Sequence, residues 1–393
     1  MEPVLRPPEG EEETARVWHM LHRAFNFPLE DVERFASDYE TPRGLALFVG
    51  DEVAAYSRIK PFAMFWGGRS VPTGGFSPVA VAPEFRGRGL GSRVTVGQYA
   101  DMRDRGEVLA ALYPASTRLY RAVGFELAGV WARQKLPTRS LQLLRPTGVT
   151  VRRATPADLP AVKALYAAVA RHRNGHLDRT DWWWDRAFKE FDKVHLYVVD
   201  GDGPGLLAGY ARYIHEPAQE WGYTISVHEV VAPDADVAAA LWRLIGTSST
   251  MAYQVKVTGP VEHPLLLLLP EQDLQPESEL RFMIRLIDMP GAFAARGYPS
   301  EARVDIGFDV EDKDCPWNSG RWQLVVSDGE GRFEKGGDGA VRAVPHALAG
   351  LFSGYAAART LAEAGLLPGA GDRDLAALTT AFAGPTPWMP DFF

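Results

Sequence analysis

The sequence predicts two mixed α/β units in tandem followed by an α+β domain. Three observations lead there. The chain has 393 residues, more than one hydrophobic core usually serves. Its first part carries a diverged internal repeat with an offset of roughly 150 residues. From about Pro290 the texture changes and the repeat ends.

The repeat shows in three places. Val4–Arg6 followed by the helix-compatible Glu11–Phe25 is echoed by Val151–Arg153 followed by Ala157–Arg171. Ala46–Arg58 is echoed by Tyr197–Arg212, and both are apolar runs around a Gly/Asp turn, a hairpin signature. Val79–Pro83 is echoed by Glu229–Pro233, each leading into a helix-like stretch. Each half therefore reads strand, helix, hairpin, long strand, helix, which builds a mixed sheet flanked by helices. Beyond Pro290, Ala302–Val310 and Arg321–Val326 read as strands and Gly329–Gly339 as a polar turn region. Pro345–Ala364 and Leu375–Phe382 carry helical spacing, and the prolines of the closing PTPWMPDFF exclude a helix there. The expected units are 1–147, 148–289 and 290–393.

Composition narrows the function classes. The chain is 46% hydrophobic and 23% charged, as a globular protein is. Cys315 is its single cysteine, so neither an internal disulfide nor a cysteine zinc cluster is available. The N-terminus is acidic and lacks an apolar signal core, so a cytoplasmic protein is expected. The aliphatic run Leu265–Leu269, ended by Pro270, is far short of the ~20 residues that cross a bilayer, and no membrane role is expected. A net charge of −8 disfavours nucleic acid and mildly favours a cationic substrate by steering.

Val79–Gly106 is the most informative stretch. Val79 and Val81 lie on a strand that Pro83 ends, and Gly87, Gly89 and Gly91 alternate with Arg88 and Leu90 before a helix beginning near Ser92. Glycines let the backbone curl and aim successive N–H groups into one space at a helix start, where a pyrophosphate is favoured. Arg86 and Arg88 can add charge. A dinucleotide fingerprint would want G-x-G-x-x-G after a first strand, and a triphosphate loop would want Gly-Lys-Ser/Thr. Neither is present, and three glycines among arginines are unusual for a plain surface turn. Further on, Tyr120 precedes Gly124-Phe125 on a short helix predicted from Ser116. A phenol of pKa ~10 is protonated at neutral pH and can act as a proton donor. Tyr113, in the preceding strand, is its nearest rival.

The pattern V-x-V-x-P-x-x-R-G-x-G-x-G closely resembles the coenzyme A loop of the GNAT acetyltransferase superfamily. The resemblance implies that the backbone of Val79, Ala80 and Val81 holds the pantetheine arm. It implies that Gly87, Arg88, Gly89, Leu90, Gly91 and Ser92 wrap the pyrophosphate with Arg86. Ala115 and Ser116 would flank the arm, and Tyr120 would stand beside the thioester sulfur. The second half, with DADVAAALWRL after its VAP, lacks the loop.

The order of a loop-bearing unit, a loop-less unit and a distinct third domain resembles the enhanced intracellular survival family of acetyltransferases over essentially the whole chain. That resemblance implies a sterol-carrier-protein-like third domain, a homohexamer, and acetyl-CoA-dependent N-acetylation of aminoglycoside or lysine amines without a metal. It also implies that the terminal carboxylate, here Phe393, enters the first unit's active site as a base. A terminal carboxyl of pKa ~3.5 facing an alkyl ammonium of ~10 leaves direct transfer uphill by about 9 kcal/mol. Burial, a positive field, a water relay or a purely orienting role would have to close that gap.

Other clusters have plainer readings. Trp182, Trp183 and Trp184 suit packing at a domain or subunit contact, though stacking on a sugar is an alternative. His172 and His176 are four apart but lack a third ligand at recognisable spacing, and Cys315 lacks a histidine partner. Substrate acids are expected near Glu30 or Asp31, without a pattern to single them out. The rival classes are a lipid carrier resting on the third domain and a non-catalytic coenzyme A-binding scaffold.

Overall fold

The computed structural model describes residues 2–28, 43–188, 191–218 and 221–393. The first unit runs β1 (Val4–Arg6), α1 (Gly10–Phe25), β2 (Gly44–Val49), β3 (Glu52–Trp66), β4 (Arg69–Val81), α2 (Leu90–Val96), α3 (Tyr99–Asp104), β5 (Leu109–Leu112), α4 (Thr117–Arg121) and β6 (Glu126–Pro137). The second runs β7 (Arg152–Arg153), α5 (Leu159–Ala170), β8 (Leu177–Asp178), α6 (Asp181–Phe188), β9 (His195–Asp200), β10 (Leu207–Pro217), β11 (Tyr223–Val231), α7 (Ala235–Gly246), β12 (Gln254–Gly259), α8 (Leu265–Leu268) and β13 (Gln275–Leu286). The third adds α9 (Met289–Ala295), β14 (Val304–Val310), β15 (Gly320–Ser327), β16 (Glu330–Lys335), β17 (Val341–Ala343), α10 (Pro345–Ser353), α11 (Ala358–Glu363) and α12 (Asp372–Ala381).

The two halves share one build. Each has an antiparallel hairpin, β2–β3 and β9–β10, a long following strand, β4 and β11, and a parallel strand beyond it, β5 and β12. They do not form separate sheets. The order β1-β2-β3-β4-β5-β13-β6-β12-β11-β10-β9-β7 is continuous. β13, late in the chain, pairs with β5 of the first half, while β6 pairs with β12 of the second. The halves have thus exchanged strands, and β6 and β13 pair with each other along the seam.

Alternation along β4 and β5 assigns side chains to two faces. Val71, Leu109, Ala111 and Phe282 face one core, which continues into the third unit through Phe293 and Phe352. Phe76, Ala110, Leu112 and Met283 face another, with Tyr99 and Met102. In the third unit the order is β16-β15-β14-β17. Here Gly329–Gly339 departs from the expected turn region: Glu330–Lys335 is the strand β16, joined to β15 by the two-residue turn Asp328-Gly329, both at positive φ. An Asp-Gly pair between strands is a hairpin signal that the glycine-rich context obscured. Gly354, at φ 67°, divides the helical stretch from Pro345 into α10 and α11. Among the described residues no helix is long and apolar enough to cross a membrane.

Candidate functional site

β4 and β5 pair only over Thr73–Gly75 and Leu109–Ala111. Beyond Gly75 they part. Val79, Ala80 and Val81 stay bonded to β3 on one side, so their other edge faces a gap. At the far end of that gap sits the glycine loop. Gly87 and Gly89 adopt φ of 77° and 73°, a left-handed conformation that disfavours a Cβ, and a Cβ at either would meet nothing within 4 Å. Gly89 precedes α2 without a side-chain cap. Among the described residues, the N–H groups of Gly87 through Ser92 have no protein acceptor. Arg86 and Arg88 are exposed beside them, each reaching a backbone oxygen at 3.4 Å, with Arg88 also over the Phe85 ring. Open amides, absent Cβ groups and two exposed guanidinium heads fit a diphosphate.

Tyr120 lies on α4 and is 8% exposed, its ring edge-on to Phe125 at 5.7 Å. Burial pushes its phenol up to about 12, and its hydroxyl has no protein partner among the described residues. Ala115 and Ser116 are exposed just before α4. Tyr113 differs: its hydroxyl is occupied, donating to the backbone oxygen of Asp391 at 2.9 Å.

That bond belongs to the C-terminal tail. Pro387 and Met389 exchange backbone bonds with Val130, and the Trp388 N–H donates to the Asn174 carbonyl. Asp391 accepts from the Arg179 Nε through both oxygens at 3.1 Å. Arg179 also bonds Glu229, which accepts from the Tyr210 hydroxyl at 3.0 Å. Burial raises the Asp391 carboxyl, although Arg179 draws it back. Burial also works on Glu229, but Arg179 and Arg212 outweigh it and hold that carboxyl at about 2.

So anchored, the tail delivers Phe393 to the point where β4 and β5 separate. Its ring lies 4.9 Å from that of Phe62 and 5.5 Å from that of Tyr113. A Cβ on Gly75 would stand 2.8 Å from it, so glycine makes the seat. Phe393 packs with the core on one face of the sheet and Tyr120 with the core on the other. The gap between β4 and β5 joins the two faces.

Several residues of this site gave no sequence signal. Arg179, Glu229 and Asp391 are far apart in the chain, and only the fold collects them. Glu30 and Asp31 lie outside the described residues. Trp183 packs on Phe62 of the first unit, a contact between units, while Trp184 packs on Tyr166 and Phe188. His176 is buried beside Tyr166, and His172 is exposed. Among the described residues no three His, Cys, Asp or Glu side chains gather as metal ligands. Cys315 is buried, contacts Arg285 at 3.0 Å, and burial pushes its thiol up to about 11, a structural setting.

Comparison with known proteins agrees with this anatomy. Residues 6–128 and 175–286 each match an acetyltransferase (GNAT) domain, and residues 289–390 match a sterol carrier protein domain. An uncharacterized N-acetyltransferase of Streptomyces coelicolor is 31% identical over 343 residues, covering 83% of this chain and 82% of that one. The N-acetyltransferase Eis of Mycobacterium tuberculosis is 28% identical over 340 residues, covering 82% and 81%. The crystal structure of a GCN5-related N-acetyltransferase from Anabaena variabilis superposes with a TM-score of 0.92 at 27% identity, covering all of both chains. Two GNAT units, a sterol-carrier-type third domain and relatives of matching length together make this chain an N-acetyltransferase that belongs to the Eis-like family of the GNAT superfamily.

Proposed function

We propose that this N-acetyltransferase draws its acyl group from acetyl-coenzyme A and acetylates primary amines of aminoglycoside or lysine type by direct transfer. The observation that carries the reading is the parting of β4 from β5, with unbonded amides at one end and Tyr120 and Phe393 on opposite faces. When bound, acetyl-coenzyme A supplies an acyl group activated as a thioester. Val79, Ala80 and Val81 would hold its arm by backbone bonds, with Ala115 and Ser116 alongside. The amides of Gly87, Arg88, Gly89, Leu90, Gly91 and Ser92, with Arg86 and the Arg88 side chain, would hold its diphosphate.

The chain's own residues then have two proton tasks. The Tyr120 oxygen keeps its proton at neutral pH and can release it toward a leaving sulfur. The Phe393 carboxylate would receive or orient the amine proton, its own ring packed against those of Phe62 and Tyr113. No side-chain nucleophile is required. A homohexamer is the assembly proposed with this reading, and sedimentation would measure it.

The test is a free-thiol assay with acetyl-coenzyme A and a panel of aminoglycosides, polyamines and lysine peptides. The native chain, Tyr120→Phe and a chain extended by two C-terminal glycines are compared. Tyr120→Phe is expected to lose about 10²-fold in kcat with little change in donor KM. The extended chain is expected to lose most activity. Full activity after extension removes Phe393 from the chemistry, and full kcat in Tyr120→Phe removes the phenol.

A further inference from the structure

The second unit holds a cleft of about 710 Å³ that the proposed reaction does not use. It opens where β11 parts from β12, whose parallel pairing covers only Ile225–Val227. The place is the counterpart of the gap between β4 and β5, yet the diphosphate seat is closed. The Asp234 carboxylate caps α7, accepting from the N–H groups of Asp236 and Val237 at 2.9 and 3.0 Å. A diphosphate would meet a negative charge where the first unit offers open amides. The remaining space is walled chiefly by Leu165, Val169, Val231, Trp242, Leu265 and Leu268.

Unmet donors gather on this apolar wall. His176 is 6% exposed, lines the cleft, and neither ring nitrogen has a partner. The Trp388 indole N–H is likewise buried without a partner, its ring edge-on to His176 at 4.4 Å. The Arg173 side chain has no partner among the described residues and lies close enough to lower the proton affinity of both His176 and His263. His263 accepts the Leu265 N–H on Nδ1 at 3.0 Å, so its own proton sits on Nε2. The acids on the lining are already engaged, Glu229 by Arg179 and Tyr210, and Asp234 by the α7 amides. Leaving buried donors unmet is costly, and one ligand oxygen pair would answer several of them.

We propose that this cleft binds an apolar monocarboxylic acid, its body on the aliphatic wall and its carboxylate on Arg173, His176 and the Trp388 indole. Trp388 and Pro390 are cleft walls and also part of the tail that ends at Phe393. An occupant therefore grips the segment that delivers the terminal carboxylate, and occupancy holds the tail in place. The binding claim stands without any role for Phe393, whereas an effect on acetyl transfer rests on the function proposed above.

The probe is decanoate, with decanol as the uncharged control, titrated into the full chain by calorimetry and by tryptophan fluorescence. Hydrogen exchange reports on the tail. Saturable decanoate binding, at least tenfold weaker decanol binding, and slowed exchange at the Trp388 and Met389 amides are expected. Arg173→Ala should weaken decanoate at least tenfold, and Ala238→Phe, which fills the cleft, should abolish binding. Each variant's cooperative melt checks its fold, and Arg173→Ala decides alone if Ala238→Phe does not fold. Absence of decanoate binding, equal binding of decanol, or binding unaffected by the variants, as a seat in the third unit would give, overturns the proposal. Binding without tail protection overturns the link to the tail.

Discussion

Replacing Asp391 by alanine tests how the tail is held. In the native chain the Arg179 side chain is 1% exposed and lies between Glu229 and Asp391, with its guanidinium over the rings of Tyr166 and Trp184. Asp391→Ala deletes the two bonds to Nε and leaves Glu229 as the remaining directly bonded carboxylate. Stripping a partner from a buried charge costs 3–5 kcal/mol, and because Glu229 stays, a loss of about 3 kcal/mol is expected. Asp391→Asn keeps the shape and one acceptor, so about 1.5 kcal/mol is expected. Denaturant unfolding of the native chain and both variants measures the order. In Asp391→Ala the tail that seats Phe393 loses its main polar anchor, so thiol release should fall by about 10²-fold, as misplacement of a reacting group does. The KM for acetyl-coenzyme A should hold, because residues 87–92 lie away from this anchor. Stability within 0.5 kcal/mol of native, or full activity in a chain whose tail exchanges freely, would refute the reasoning.

Two further outcomes follow from the same geometry. Gly89→Ala places a Cβ at φ 73° in open space, so the cost is backbone strain of about 1–2 kcal/mol rather than a clash, and the KM for acetyl-coenzyme A should rise about tenfold with kcat less affected. Burial, with Arg179 and Arg173, lowers the His176 imidazole from its ordinary range to about 3. Its neutral form is the one the fold prefers, so the stability it contributes is complete above pH 6.5 and is lost as pH falls toward 3. His176→Gln should flatten the pH dependence of unfolding by about 1.4 kcal/mol per pH unit in that window, measured by urea titration at several pH values.

The open turn at residues 87–92 was legible in the sequence because its geometry is local. Gly87 and Gly89 shape a backbone turn through neighbours in the chain, and so a short pattern carries the geometry. The strand, helix and hairpin order of the halves was legible for the same reason, since periodicity of 2 or 3.6 is a neighbour property. The Asp328-Gly329 hairpin was legible in principle and was hidden by the glycines around it.

What the tertiary structure alone decided has no local code. A strand's pattern says which side is apolar and nothing about which strand lies beside it, so the exchange of β6 and β13 between the halves could not be read. The seat of Phe393 needs Gly75, Phe62 and Tyr113 from one unit, and the anchor of its tail needs Arg179 and Glu229 from another. The sequence by itself determined the amide-lined turn and the kind of units present. The folded chain decided what stands at the other end of the gap from that turn, because a buried ion pair and a close ring contact form only between surfaces that long-range packing has already brought together.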